Sequence, residues 1–268
     1  MNTFKKTTLA LAVFTLASGA IAQTAPAPAP APAASPITAN ITITNDYRYR
    51  GISQSNFLPA IQGGFDYAHE SGFYIGNWNS SISWLSDQNS GSSAPIEMDF
   101  YGGYKKELIG PGFVTDIGVL QYYYPTTNYT LLNPNTTEIY AAQNFTFGAL
   151  TGFIKVNYSV TTIFGFANST GSYYPDLTLN YDTGLWGITA NGHVGYQYMA
   201  GNQSGVSNNS VLSYTDWKFG LTKDFGGGLS AAIAYVGTNA KDAGYMQTVA
   251  SPKNTGKSAG LISLTKTF

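Results

Sequence analysis

No cysteine occurs anywhere in the 268 residues. That excludes a disulfide framework and also a lipid-modified N-terminal cysteine. Charge is scarce as well: Asp, Glu, Lys and Arg together make up 10% of the chain, against about 25% in an ordinary soluble domain. A soluble protein of this size carries more charge on its surface. Arginine occurs only at Arg48 and Arg50, and histidine only at His69 and His193. There is no HExxH pair and no GxGxxG leading into a helix, so metal and nucleotide sites have no support and no cofactor is called for. Long apolar runs are also missing. The one candidate, about Leu9 to Ala17, is too short for a spanning helix, which needs roughly 20 residues.

That run follows Lys5 and Lys6 and leads into Ala20-Ile21-Ala22, a small-x-small cleavage site. The pattern is that of a signal peptide over residues 1–22, which exports the chain. Removing Lys5 and Lys6 from the 13 bases leaves 11 against 14 acids, a net charge of −3. A mildly acidic chain argues against nucleic acid as a partner. Residues 23–36 form an Ala/Pro-rich run with Pro26, Pro28, Pro30, Pro32 and Pro36. Such a run packs no core and prefers polyproline II, at about 3.1 Å per residue, which suits a periplasmic spacer.

What the chain does have is aromatics (15%, with 20 Tyr), 30 Gly, and from Ile37 onward an apolar period of two. Ile37, Ala39, Ile41, Ile43, Tyr47 and Tyr49 alternate with Thr38, Asn40, Thr42, Thr44, Asp46, Arg48 and Arg50, so the first strand is read as running through Arg50. The same alternation marks strands at about Ala60–Ala68, Ile96–Glu107, Leu150–Val160, Asp176–Asp182, Trp186–Tyr198, Asp216–Thr222, Leu229–Tyr235 and Lys257–Phe268. Three more, near residues 73–84, 113–123 and 137–147, alternate less cleanly and leave their registers open. Twelve strands result, and the connections between them alternate in length. Short ones lie at His69–Gly72, Leu108–Gly112, Gly148, Thr183-Gly184 and Gly226–Gly228; long ones lie near Gly51–Pro59, Leu85–Pro95, Tyr124–Asn135, Thr161–Ser172, Ala200–Val211 and Thr238–Gly256. Both ends of the strand region then fall on the short-turn side, as in an even-stranded outer-membrane barrel. A secreted β-sandwich also alternates, but it needs no strict short–long rhythm and wants a more charged exterior. The expectation is an all-β fold, an antiparallel up-and-down transmembrane β-barrel of about twelve strands over residues 37–268 in a bacterial outer membrane. Its last strand, ending in Phe268, pairs with the first and is the segment offered to the barrel-assembly machinery. Lys266 snorkels at the inner interface.

The segment Asp46-Tyr47-Arg48-Tyr49-Arg50-Gly51-Ile52-Ser53-Gln54-Ser55, followed by Pro59-Ala60-Ile61-Gln62-Gly63-Gly64-Phe65-Asp66-Tyr67, resembles the opening of the TorF-type porin family. His69-Glu70-Ser71-Gly72-Phe73-Tyr74 and Gly76-Asn77-Trp78 continue the likeness. The specific part covers about thirty residues, and the rest agrees in strand number and size. The resemblance implies an outer-membrane barrel with channel activity.

A barrel of this size leaves a narrow lumen. Its wall is expected to carry Asp46, Arg48, Arg50, Asp66, Glu97, Asp99, Lys105, Lys155, Asp176, His193, Asp216 and Lys218. Mixed signs give weak ion selectivity, tilted toward cations by the acid excess. Arg48 and Arg50 form either a clamp for a carboxylate or phosphate solute or wall pairs with Asp46 or Asp66, and the second reading is preferred. Tyr122-Tyr123-Tyr124 and Trp84 are assigned to an outer aromatic girdle, and Phe73, Phe113, Trp186, Phe225 and Phe268 to an inner one. The function expected is passive diffusion of small hydrophilic solutes or ions, without enzymatic chemistry. The alternatives are a structural or adhesive barrel with a plugged lumen, for which inward Tyr101 and Phe153 speak, and an outer-membrane lipase, which would need a serine beside His193.

Overall fold

The computed structural model describes residues 35–247 and 252–268. The expected signal peptide, and the spacer up to residue 34, lie outside the described residues. Twelve antiparallel strands close into one barrel. They are β1 (Ile37–Thr44), β2 (Ala60–Ala68), β3 (Phe73–Ser81), β4 (Ile96–Gly110), β5 (Phe113–Tyr123) and β6 (Thr136–Phe147), then β7 (Leu150–Ser159), β8 (Tyr173–Asp182), β9 (Ile188–Gln197), β10 (Tyr214–Gly226), β11 (Leu229–Thr238) and β12 (Ala259–Thr267). Each pairs with its chain neighbours, and β1 pairs with β12 in the register Asn40↔Thr267 and Ile43↔Leu264, which removes both edges. Three short helices, α1 (Trp84–Gln88), α2 (Asn208–Leu212) and α3 (Asp242–Tyr245), sit in the long loops.

Period-two alternation puts the apolar side chains outside. Ile41, Ile61, Phe65, Ile117, Ile139, Ile154, Phe219, Ile233 and Ile262 are all exposed. The buried core lies within the barrel, and it is largely tyrosine: Tyr47, Tyr74, Tyr101, Tyr122, Tyr124 and Tyr140 pack with Trp78 and Leu120. Several of these rings lie against a glycine on the next strand. Tyr140 faces Gly118 across the β5–β6 ladder, and a Cβ at Gly118 would come within 2.6 Å of its ring. The glycine makes room for the ring on the inner wall.

Several boundaries differ from the sequence reading. The first strand stops at Thr44 rather than continuing through Arg50. Asn45 still donates its backbone N–H to the Ile262 carbonyl at 3.1 Å, and its side chain takes over beyond that, donating from Nδ2 to the Gly260 carbonyl and accepting from the Ile262 N–H. The chain then turns inward, so Tyr47, expected outside, is buried. The turn expected at Leu108–Gly112 is shorter, because β4 continues to Gly110 across a register shift that accommodates Leu108 and Ile109. The strand expected from Trp186 begins at Ile188, since Trp186 adopts φ 51 within the turn. Of the inner aromatics, Phe73, Trp186, Phe225 and Phe268 stand exposed at the short-turn end, and Phe113 packs edge-on against Phe147 at 5.3 Å. The outer assignment is corrected: Tyr122 and Tyr124 are buried within the barrel, and Trp84 sits in α1 against Tyr124. Tyr123 alone of that triplet is exposed.

Candidate functional site: an arm across the lumen

The loop after β1 folds into the barrel instead of standing above it. Asp46, buried, gathers the loop: its carboxylate accepts from Ser53 Oγ at 2.6 Å and Ser55 Oγ at 3.3 Å, and pairs with Arg48 Nε at 2.6 Å. A two-residue hairpin, Arg48–Tyr49 against Ile52–Ser53, comes next. Arg48 Nη1 donates to the carbonyls of Gly51, Thr255 and Lys257, tying this loop to the one before β12, while its guanidinium lies over the Phe57 ring. At the hairpin tip Gly51 has φ 76, and a Cβ there would sit 2.4 Å from Thr238 and 2.7 Å from Asp216. Only glycine lets the backbone come this close to the wall.

Arg50 carries the arm to the far side. It donates from Nη2 to Glu138 Oε2 on β6 and from Nη1 to Gln197 Oε1 on β9, both at 2.6 Å. Its guanidinium lies 4.3 Å from the centre of the Tyr174 ring. Burial is the strongest single influence and opposes the Arg50 charge, but Glu138, Tyr49 and Tyr122 together more than offset it and hold the guanidinium well above its ordinary pKa. Glu138 in turn accepts from Asn157 Nδ2 at 2.8 Å and Ser159 Oγ at 3.2 Å. Breaking a buried pair by removing one partner costs about 3–5 kcal/mol, so this contact is a firm anchor. Tyr49 and Tyr47 supply two more. The Tyr49 and Tyr122 hydroxyls are 2.6 Å apart, and Tyr47 donates to Glu97 at 2.9 Å.

The expected lumen residues on strands are buried or half-buried, opposite the exposed apolar side chains, and most are already paired. Tyr101 donates to Asp66 at 2.6 Å; Glu97 accepts from Tyr47 and Tyr124. Lys105 approaches Asp116 at 3.7 Å, and Lys155 lies over the Tyr140 ring at 4.0 Å. Lys218 faces His193 in the β9–β10 register. Asp99 is buried, and one of its oxygens has no partner among the described residues. His193 is held between two carboxylates, Nδ1 3.0 Å from Asp176 and Nε2 2.8 Å from Asp216, with Tyr174 donating to Asp216 at 2.8 Å. Two hydroxyls stand beside His193, Tyr174 at 3.0 Å and Thr178 at 3.1 Å, and each donates to one of these carboxylates. Neither hydroxyl is the serine that the lipase reading requires.

Arg48 and Arg50 are therefore not wall residues. Arg48 does pair with Asp46, as one reading had it, whereas Arg50 pairs with a residue outside the expected set. Glu138 and Asp116 were missed along with the buried tyrosines other than Tyr101, which the alternation had already turned inward. Both acids fall on strands with blurred alternation, yet each stands beside an exposed isoleucine, Ile139 and Ile117, which is the signal that places them inside.

The barrel is similar in fold to solved porins, two of which it matches over 98% of their length. One is the KdgM porin in complex with disordered oligogalacturonate, with a TM-score of 0.51, 8% identity, and coverage of 87% of this chain and 98% of that one. The other is the NanC porin, with a TM-score of 0.54, 10% identity, and coverage of 86% and 98%. No curated protein matches the sequence. A family model described as a bacterial protein of unknown function, Gcw_chp, matches residues 29–268, and the chain belongs to that family.

Proposed function

We propose that this protein is a porin-like channel of a bacterial outer membrane, passing small hydrophilic solutes or ions by diffusion through a lumen that the folded-in first loop narrows. One observation carries the reading: a closed barrel with its apolar side chains outside and its ionisable groups inside. That inversion suits lipid around the barrel and water within it. The porin folds it resembles and the TorF-like segment at 46–67 support the same reading, and the short turns then face the periplasm. Filtering falls to the mixed-charge wall and to the arm, with no covalent step.

The plugged structural or adhesive barrel is the second reading, and the arm itself favours it, since Tyr47, Tyr49 and Arg50 occupy the lumen. Single-channel recording of residues 23–268 in a planar bilayer separates the two. The channel reading expects discrete openings, larger in Arg50→Ala because the arm loses its far anchor. A folded barrel that stays silent both as wild type and as Arg50→Ala would leave the plugged reading standing.

A further inference from the structure

The lysines on the inner side of the barrel differ in what holds them. Lys105 approaches Asp116 and lies over the Tyr74 ring, and Lys155 lies over the Tyr140 ring. Lys218, turned inward between the exposed Trp217 and Phe219 of β10, makes no hydrogen bond, ion pair or ring contact among the described residues. It is half-buried, and its ammonium, unlike the unpartnered Asp99 oxygen, is open to water. The acids that act on it are Asp176 and Asp216. Both are engaged elsewhere: His193 holds them at 3.0 and 2.8 Å, and Thr178 and Tyr174 donate to them. Beyond Lys218 the wall changes character, because β11, β12 and β1 contain no acidic residue. The tip of the arm at Gly51 comes against Asp216, two positions from Lys218 on the same face of the strand.

We propose that Lys218 is the binding point for a small, singly charged anion on the path beneath the arm, and that it turns the channel toward anions. A passing ion responds to charge that is accessible and uncompensated, not to the formal sum over the chain. Much of the acid excess is already spent: Asp46, Glu138 and Asp116 are ion-paired, and Glu97 and Asp99 are buried. The Lys218 ammonium offers one charge and three donors. A multiply charged or bulky anion would be brought against Asp176 and Asp216, and like charges repel. The effect on selectivity rests on the channel reading; binding of the anion does not.

Two measurements on residues 23–268 test it. The first is the zero-current potential across a planar bilayer under a potassium chloride gradient, with Lys218→Gln alongside. A unit charge about 4 Å away in water biases an ion about fivefold, so the wild type is expected to prefer chloride, and the variant to lose about that factor. Lys218→Arg should keep the preference. The second needs no conductance: crystals soaked in sodium bromide are expected to show anomalous scattering beside the Lys218 ammonium, and none there in Lys218→Gln. Preference for potassium in a conducting wild type, an unchanged ratio in a folded Lys218→Gln protein, or no bromide beside Lys218 would each overturn the proposal. Bromide bound in a silent barrel would refute the channel and leave the site, whereas openings without bromide would refute the site alone.

Discussion

Arg50 meets its partners through two different nitrogens, Glu138 by Nη2 and Gln197 by Nη1. A planar guanidinium serves both strands at once; a lysine ammonium on a flexible stem does not match that fork. Arg50→Lys is accordingly expected to keep the charge but loosen the arm, seen as faster amide hydrogen exchange over residues 46–58 while barrel amides are unchanged. Equal protection in the variant would show that the fork is not what fastens the arm. A second residue-level test concerns Gly195, where a Cβ would meet the Tyr174 ring within 2.8 Å. Gly195→Val should push that ring off the wall and part it from Asp216, costing about 1–3 kcal/mol as overpacking does; the unfolding midpoint in urea reports it. Inward Asp66, Lys155 and Asp216 were legible from alternation alone, because side chains on a strand change sides at every residue. Arg48 and Arg50 were not, since their place depends on how the Asn45 side chain meets β12 more than two hundred residues later.

Among the elements, the loop after β1 matters most. β1 itself is held by β2 and β12 through residues 37–44, independently of the loop beyond Thr44. Replacing residues 46–58 with a short Gly-Ser linker should therefore leave the barrel folded and raise single-channel conductance several-fold above that of Arg50→Ala, which still has the Tyr47 and Tyr49 contacts. Conductance no greater than wild type in a folded deletion would mean that the constriction lies in the wall tyrosines and not in the arm. The connection lengths were readable from sequence as a short–long rhythm. The direction a loop takes was not, because Arg48, Tyr49 and Arg50 are polar enough for either the lumen or the outside. Tyr122 and Tyr124 were misplaced for a related reason: a tyrosine suits a membrane interface and a polar lumen equally, and only partners such as Tyr49 and Glu97 decide.

At the scale of the whole molecule, neighbouring residues face opposite media. Ile154 is exposed on the outer face and Lys155 is buried inside. If lipid surrounds the barrel, Ile154→Lys should destabilise it by about 2–4 kcal/mol near mid-height, measured by denaturant unfolding from vesicles. A negligible cost there would contradict the membrane reading. Strand number, the antiparallel order and the two faces of the wall come from local pattern: period two sets the faces, turn residues set the connections, and low charge with an apolar outer stripe requires closure. These were determined by the sequence by itself. The arm and its Glu138 anchor were decided only in the tertiary structure. They join residues far apart in the chain, and the energy that selects them comes from burying and pairing polar groups inside the barrel, a term that no local periodicity records.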